Sequence, residues 1–80
     1  MLFLIEYSRH EGRIVSFRDF DDDDASSAAQ ARLNLELELN RRGIAREVVL
    51  LEAENEKALR RTHRRYFESL NELVEAFQPA

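Results

Sequence analysis

The chain has 80 residues, of which 44% are hydrophobic, with a formal net charge of −4 and no cysteine. This length allows one small domain, residues 1–80, and the apolar content favours a packed core over disorder. The missing cysteines exclude disulfides and thiolate metal sites, and the acidic balance argues against a general attraction to nucleic acid or to an anionic membrane.

The first two predicted elements are strands joined by a hairpin. Residues 1–7 and 14–20 are rich in aliphatic and aromatic residues that favour β-strands. The polar stretch between them contains Gly12, and glycine supplies the positive φ that tight turns need. The opening apolar run is too short for a signal peptide or a membrane span. Together with the missing cysteines, this predicts a cytoplasmic protein with no membrane contact.

An acidic run, residues 19–24, precedes the third element. Its spacing departs from that of a calcium-binding EF-hand loop, since Asp24 stands where glycine is required and Gln30 where a bidentate glutamate is required. We therefore interpret the run as the start of a helix, with Asp23 or Asp24 as the N-terminal cap. No metal site is predicted there.

Residues 25–42 are predicted to form a helix that ends at Gly43. Four leucines in its second half alternate with polar residues, which is the period of a strand, so a strand stays open as the alternative. In a helix these leucines divide into two sides, Leu33 with Leu37 and Leu35 with Leu39. Such a helix would have to bury more than one narrow stripe. It could lie between the sheet and the last helix, or it could use one side against a second copy of the chain.

A third strand and a final helix complete the predicted fold. Residues 47–51 contain an aliphatic and β-branched run typical of a buried strand, and a helix follows from Glu54 or Asn55 to about Phe77. A right-handed crossover makes the second and third strands parallel, and the simplest sheet places the first strand between them. We predict an α+β two-layer sandwich of order β-β-α-β-α: a three-stranded mixed sheet, strand one central, with both helices on one face.

The predicted last helix contains a dense basic cluster, RRTHRRYF, at residues 60–67. At about 100° per residue, four arginines fan across one side of this helix: Arg60, Arg61, Arg64 and Arg65. Guanidinium groups in a row can hold the phosphates of a partner or of nucleic acid. However, Glu56 can pair with Arg60, and Glu68 with Arg64 and Arg65, which predicts that much of this charge is neutralised.

His63 falls on the opposite, apolar side of the same helix, near Tyr66. A buried imidazole is costly unless its nitrogens find hydrogen-bond partners. His63 is therefore either a structural core histidine or, with Tyr66, a contact or general base in a small-molecule pocket. The chain has no cysteine nucleophile, no serine elbow and no glycine-rich phosphate loop. We therefore predict no catalytic residue and no cofactor.

These patterns favour a small cytoplasmic interaction or accessory protein over an enzyme. It would act through a surface, as a homodimer or with another protein partner, because a three-stranded sheet has two open edges that invite pairing. One alternative is a small-molecule-binding protein or minor enzyme with a pocket at His63 and Tyr66. The other is a nucleic-acid-binding module that uses the arginine face.

Overall fold

The computed structural model describes residues 1–67. The elements follow the predicted order: β1 (Leu2–Ser8), β2 (Arg13–Phe20), α1 (Ala25–Arg42), β3 (Glu47–Glu52) and α2 (Glu56–Thr62). A short 3-10 turn precedes α1, and another, Arg64–Tyr66, follows α2. The α+β class is thereby confirmed. None of the helices in this part has both the length and the apolar composition needed to cross a membrane.

β1 is the central strand of the sheet, as predicted. It pairs antiparallel with β2 on one side, where Phe3 lies opposite Asp19, and with β3 on the other, where Phe3 lies opposite Leu51. β2 and β3 run parallel to each other, but β1 separates them, so the sheet is antiparallel rather than mixed. The hairpin turn is also confirmed, since Gly12 has a φ of 68° and donates its N–H to the carbonyl of Ser8.

α1 begins and ends at the predicted residues, which excludes the strand alternative. It ends because Gly43 takes a left-handed conformation, with a φ of 67°, and donates its N–H to the carbonyl of Asn40. The two leucine sides separate as predicted: Leu39 is buried and Leu35 half-buried, whereas Leu33 and Leu37 are 48% and 57% exposed. Asp24 occupies the N-cap position, but its side chain makes no cap hydrogen bond.

The main core lies on the face of the sheet that carries the odd-numbered side chains of β1. Strand alternation sends Phe3, Ile5 and Tyr7 to this face. There they pack with Leu59 of α2 and with Tyr66 of the following turn, and all of these side chains are buried. These contacts place α2 and the turn after it on this face.

α1 covers the opposite face of the sheet. Leu4 and Glu6 project to that face by alternation, and Val48 shares it because it lies opposite Glu6. Leu39 of α1 lines a common cavity with Val48. The prediction that both helices lie on one face is therefore not confirmed. The physical reason lies in β1, whose residues from Phe3 to Ser8 are all buried, so both of its faces need a cover.

The final helix is interrupted inside the basic cluster. α2 ends at Thr62, and His63 leaves the helical conformation with a φ of −125° and a ψ of 49°. The Thr62 hydroxyl donates to the carbonyl of Ala58 at 3.1 Å, a local bond of the kind that competes with regular helix. The prediction of one continuous helix through residues 60–67 is therefore wrong, and its continuation to Phe77 lies outside the described residues.

Candidate functional site

The break at His63 divides the predicted arginine face. Arg60 and Arg61 lie in the last turn of α2, whereas Arg64 and Arg65 belong to the 3-10 turn that follows. Arg65 turns away from the other three, because its Nη2 donates to both carboxylate oxygens of Glu47 at 3.0 Å. The cluster that looks continuous in sequence is thus two sites in the structure.

Three of the four predicted arginines line a groove of about 470 Å³ along α2 and the turn after it. We call it the basic groove; its lining is Lys57, Arg60, Arg61, Arg64 and Phe67. Arg60 Nη2 donates to Glu56 Oε1 at 3.2 Å, which confirms that predicted pair. Both side chains are more than half exposed, so this ion pair stabilises the helix only slightly. The pairs predicted with Glu68 lie outside the described residues.

Phe67 connects the basic groove to the core. The guanidinium of Arg60 lies over its ring, 4.5 Å from the centroid, while the ring meets Phe17 edge-on with centroids 5.9 Å apart. In a straight helix Phe67 would lie about 10 Å beyond Arg60 along the helix axis. The sequence interpretation missed this contact because it did not foresee the break at His63.

His63 and Tyr66, the predicted pocket residues, lie near each other in the structure. Their ring centroids lie 6.5 Å apart, and His63 is half-buried whereas Tyr66 is buried. The Tyr66 hydroxyl accepts a hydrogen bond from Arg65 Nη2 at 2.6 Å, and its ring packs edge-on against Tyr7 at 5.3 Å. Neither residue lines the basic groove or the two cavities near the start of β3. Tyr66 is therefore a packing residue of the core.

Glu47 is the centre of a second charged cluster, at the start of β3. Besides Arg65, Arg9 of the β1–β2 turn donates to its carboxylate at 3.0 Å, and the Glu47 side chain is 15% exposed. Burial alone would raise the pKa of Glu47, but the hydrogen bonds and charges of Arg9 and Arg65 outweigh burial, so its pKa lies below the ordinary value. The same contact raises the pKa of Arg65. Glu47 thereby ties together the hairpin turn, β3 and the turn after α2.

Glu6 is a buried acid on the opposite face of the sheet. Ser16 Oγ donates to one carboxylate oxygen at 3.0 Å, and Arg46 Nε lies 3.3 Å from the other. The Arg46 N–H is not aligned for a hydrogen bond, although the two charges are in contact. We interpret this contact as an ion pair, because the attraction between charges depends less on angle than a hydrogen bond does.

A cavity of about 460 Å³ adjoins both acid clusters, and it is lined by Arg9, His10, Ala45, Arg46 and Glu47. Arg9 and Glu47 neutralise each other across this lining at 3.0 Å. Arg46 is in turn paired with Glu6. The cavity therefore presents less uncompensated positive charge than the basic groove does.

Within residues 1–67, no group of three or more histidine, aspartate and glutamate side chains is arranged to hold a metal ion. Comparison of the chain with family models, with curated proteins and with solved structures found no match. A function can therefore be inferred only from the surfaces of the fold itself.

The outer edges of the sheet are the remaining candidate surfaces. Among the described residues, no strand pairs with the outer side of β2 or of β3. Met1 and Ala53 exchange two backbone hydrogen bonds, at 2.9 and 3.0 Å, which identifies them as a hydrogen-bonded pair of the ladder. Such pairs alternate along an antiparallel ladder. Val48 and Leu50 therefore direct their backbone N–H and C=O groups away from β1, toward the open edge.

Proposed function

We propose that the chain is a small cytoplasmic interaction protein that acts as a homodimer, joined through the outer edge of β3. The supporting observation is that the composition of β3 does not suit its position. Its residues 48–51 are all aliphatic and alternate between both faces of the sheet, a pattern typical of a central strand that is buried on both sides. Yet all four remain only half-buried, because β3 lies at the edge. A further strand beside β3 would cover them.

A second copy of β3 is the simplest strand that can fill this position. Two copies can pair antiparallel about a two-fold axis that passes through Val49 perpendicular to the sheet. Val48 of one copy then lies opposite Leu50 of the other, and their outward backbone groups exchange hydrogen bonds. In this register aliphatic residues meet across the axis, and Glu47 and Glu52 do not face each other. The result is a continuous sheet that spans both copies.

The decisive experiment is sedimentation of the full chain and of an edge variant at micromolar concentration. Val48→Pro removes an outward N–H without removing a hydrogen bond to β1, since proline is tolerated at a free strand edge. We expect the unmodified chain to sediment as a dimer and Val48→Pro as a monomer. Circular dichroism shows whether the variant keeps its fold.

Two matched controls show whether the effect comes from the backbone N–H at the edge of β3. One changes the side chain alone, and the other places a proline at the opposite edge of the sheet. Val48→Thr keeps both the N–H and the branched shape, so we expect it to remain dimeric. Asp19→Pro removes an N–H from the outer edge of β2, and we expect it to remain dimeric as well. A monomeric unmodified chain would contradict the homodimer. A dimer that survives Val48→Pro but dissociates when Leu33 and Leu37 are both changed to glutamate would move the interface to the outer side of α1.

The small-molecule alternative at His63 and Tyr66 has less support. The Tyr66 ring is buried against Tyr7, and its hydroxyl is engaged by Arg65. A ligand at this place would have to break both contacts. For this reason we favour a protein that works through a surface over an enzyme.

A further inference from the structure

The basic groove concentrates positive charge on an acidic protein. Four cationic side chains line it, in a chain whose net charge is −4: Lys57, Arg60, Arg61 and Arg64. Like charges at this spacing repel one another, so such a cluster is unfavourable unless anions compensate it. Glu56 supplies one carboxylate to Arg60. Within residues 1–67, Lys57 and Arg61 form no ion pair.

The groove is shallow and open to solvent, and its lining comes from both sides of the break at His63. Clustered charges of one sign raise the local concentration of an oppositely charged ligand. Guanidinium groups also offer several N–H donors in a fixed plane, which match the oxygens of a phosphate group in pairs. The volume, about 470 Å³, is within the range of pockets that hold small ligands.

We propose that the basic groove binds a diphosphate or triphosphate group, either free or as the end of a nucleotide. Three cations that lie within α2, Lys57, Arg60 and Arg61, would contact the phosphate oxygens. A diphosphate offers more oxygens than a single carboxylate or monophosphate, so it can reach more of these donors at once. This inference is independent of the proposed dimer, because the groove and the outer edge of β3 share no residue.

The aromatic ring in the groove favours a phosphate group over single-stranded nucleic acid. Proteins that bind single strands offer free aromatic faces on which bases stack. The guanidinium of Arg60 already lies over Phe67, and Phe17 contacts the same ring edge-on. Outside the groove, the net negative charge of the chain repels a long polyanion.

The test is calorimetric titration of the full chain with pyrophosphate, ADP and AMP at low salt. We expect pyrophosphate and ADP to bind, and AMP to bind about tenfold more weakly because it has one phosphate fewer to share among the cations. Equal affinity for pyrophosphate and ADP would identify the free anion as a sufficient ligand. Tighter binding of ADP would identify the end of a nucleotide as the ligand. Both results support the proposal.

Arg61→Gln should weaken pyrophosphate binding about tenfold or more, because it removes charged hydrogen-bond donors from the groove. The matched control is Arg32→Gln on α1, which changes the net charge equally. Arg32, like Arg61, is an exposed helical arginine, although it pairs with Glu36 at 3.0 Å. We expect the control to bind as the unmodified chain does. Both positions are exposed, so we expect both variants to fold, and circular dichroism is the check.

Three results would overturn the proposal. The first is the absence of pyrophosphate and ADP binding by the folded chain. The second is an equal loss in Arg61→Gln and Arg32→Gln, which would mean that only the overall charge of the protein matters. The third is a single-stranded oligonucleotide that binds more tightly than ADP with a steep dependence on salt, which would identify nucleic acid as the ligand.

Discussion

The two outer strands of the sheet share one neighbour, β1, yet they are built differently. The register of β2 shifts opposite Glu6 and Tyr7, and Val15 is left without a partner in the ladder. A bulge of this kind, together with charged residues along the strand, protects an edge from pairing with another chain. β3 keeps a regular register with β1 and has no charge between Glu47 and Glu52. The sheet thus has one protected edge and one edge suited to a further strand.

The two strands also differ in what attaches them to the rest of the molecule. Phe17 of β2 is held by aromatic contacts, stacked on Phe3 at 5.7 Å and edge-on to Phe67 at 5.9 Å. β3 is held at its start by Glu47, through ion pairs with Arg9 and Arg65. β2 should therefore be sensitive to the loss of apolar volume, and β3 to the loss of charge.

The largest expected effect is that of Phe17→Ala. This change removes the ring that joins β2 to the core and to Phe67, and we expect the free energy of unfolding to fall by about 3 kcal/mol, near the lower end for aromatic truncations because Phe17 is half-buried. Urea denaturation followed by circular dichroism measures this change. Phe17→Leu keeps much of the apolar volume and should cost less than half as much. A loss below about 1 kcal/mol in Phe17→Ala would show that aromatic packing does not hold β2.

Glu47→Gln is the corresponding change on β3. It keeps the size of the side chain but leaves Arg9 and Arg65 without their carboxylate. Both arginines are mostly exposed and screened by solvent, so we expect the free energy of unfolding at neutral pH to fall by about 1 to 2 kcal/mol for the two ion pairs together. Urea denaturation measures this change too. Glu54→Gln, which removes a carboxylate from an exposed residue just after β3, serves as the matched control and should have little effect.

The pH dependence of stability, compared between the unmodified chain and Glu47→Gln, tests whether the charge of Glu47 causes this loss. Hydrogen bonds and charges from Arg9 and Arg65 hold the pKa of Glu47 in the folded chain below its ordinary value. Its stabilising contribution is therefore fully present above the unfolded pKa, and it is lost as the pH falls through the folded pKa. The stabilities of the unmodified chain and of Glu47→Gln should accordingly converge in acid. A difference that stays constant from neutral to acid pH would mean that the charge of Glu47 is not what holds β3.

Local signals in the sequence predicted much of the fold. The bounds of α1, the stop at Gly43 and the division of its leucines all follow from residues within a few turns of each other. The continuous apolar run of β1 could also have predicted burial on both faces, and so a helix on each side. The prediction that both helices lie on one face did not take this run into account.

The candidate sites were harder to predict because they depend on contacts between distant residues. Glu47 meets Arg9, 38 residues earlier, and Arg65, 18 residues later, and no local pattern pairs them. The division of the arginines follows from the conformation of His63. Because helical periodicity presumes an unbroken helix, it placed Arg65 with Arg61, whereas the buried side that it gave Phe67 is confirmed.

A smaller effect on the free energy of unfolding is expected at the N-terminal caps of the helices that follow the two outer strands. The helix after β3 begins with Asn55, whose side-chain oxygen accepts the N–H of Ala58 at 2.8 Å. Asp24, which precedes the helix after β2, makes no such bond. Asn55→Ala should therefore lower the free energy of unfolding by about 1 kcal/mol, and Asp24→Ala by much less, as measured by thermal or urea denaturation. Equal losses in the two variants would show that the cap at Asn55 contributes nothing specific.

The smallest expected effect belongs to the bulge in β2. Val15 is 40% exposed and has no partner in the ladder, so Val15→Lys should change the free energy of unfolding by less than about 0.5 kcal/mol. Its sedimentation should match that of the unmodified chain, because a charge on an edge that is already protected adds nothing to that protection. Leu50→Lys is the contrasting variant, since it places a charge on the aliphatic edge of β3 and should favour the monomer. If Val15→Lys were the variant that dissociates the dimer, the two edges would have the opposite roles, and the interface would lie on β2.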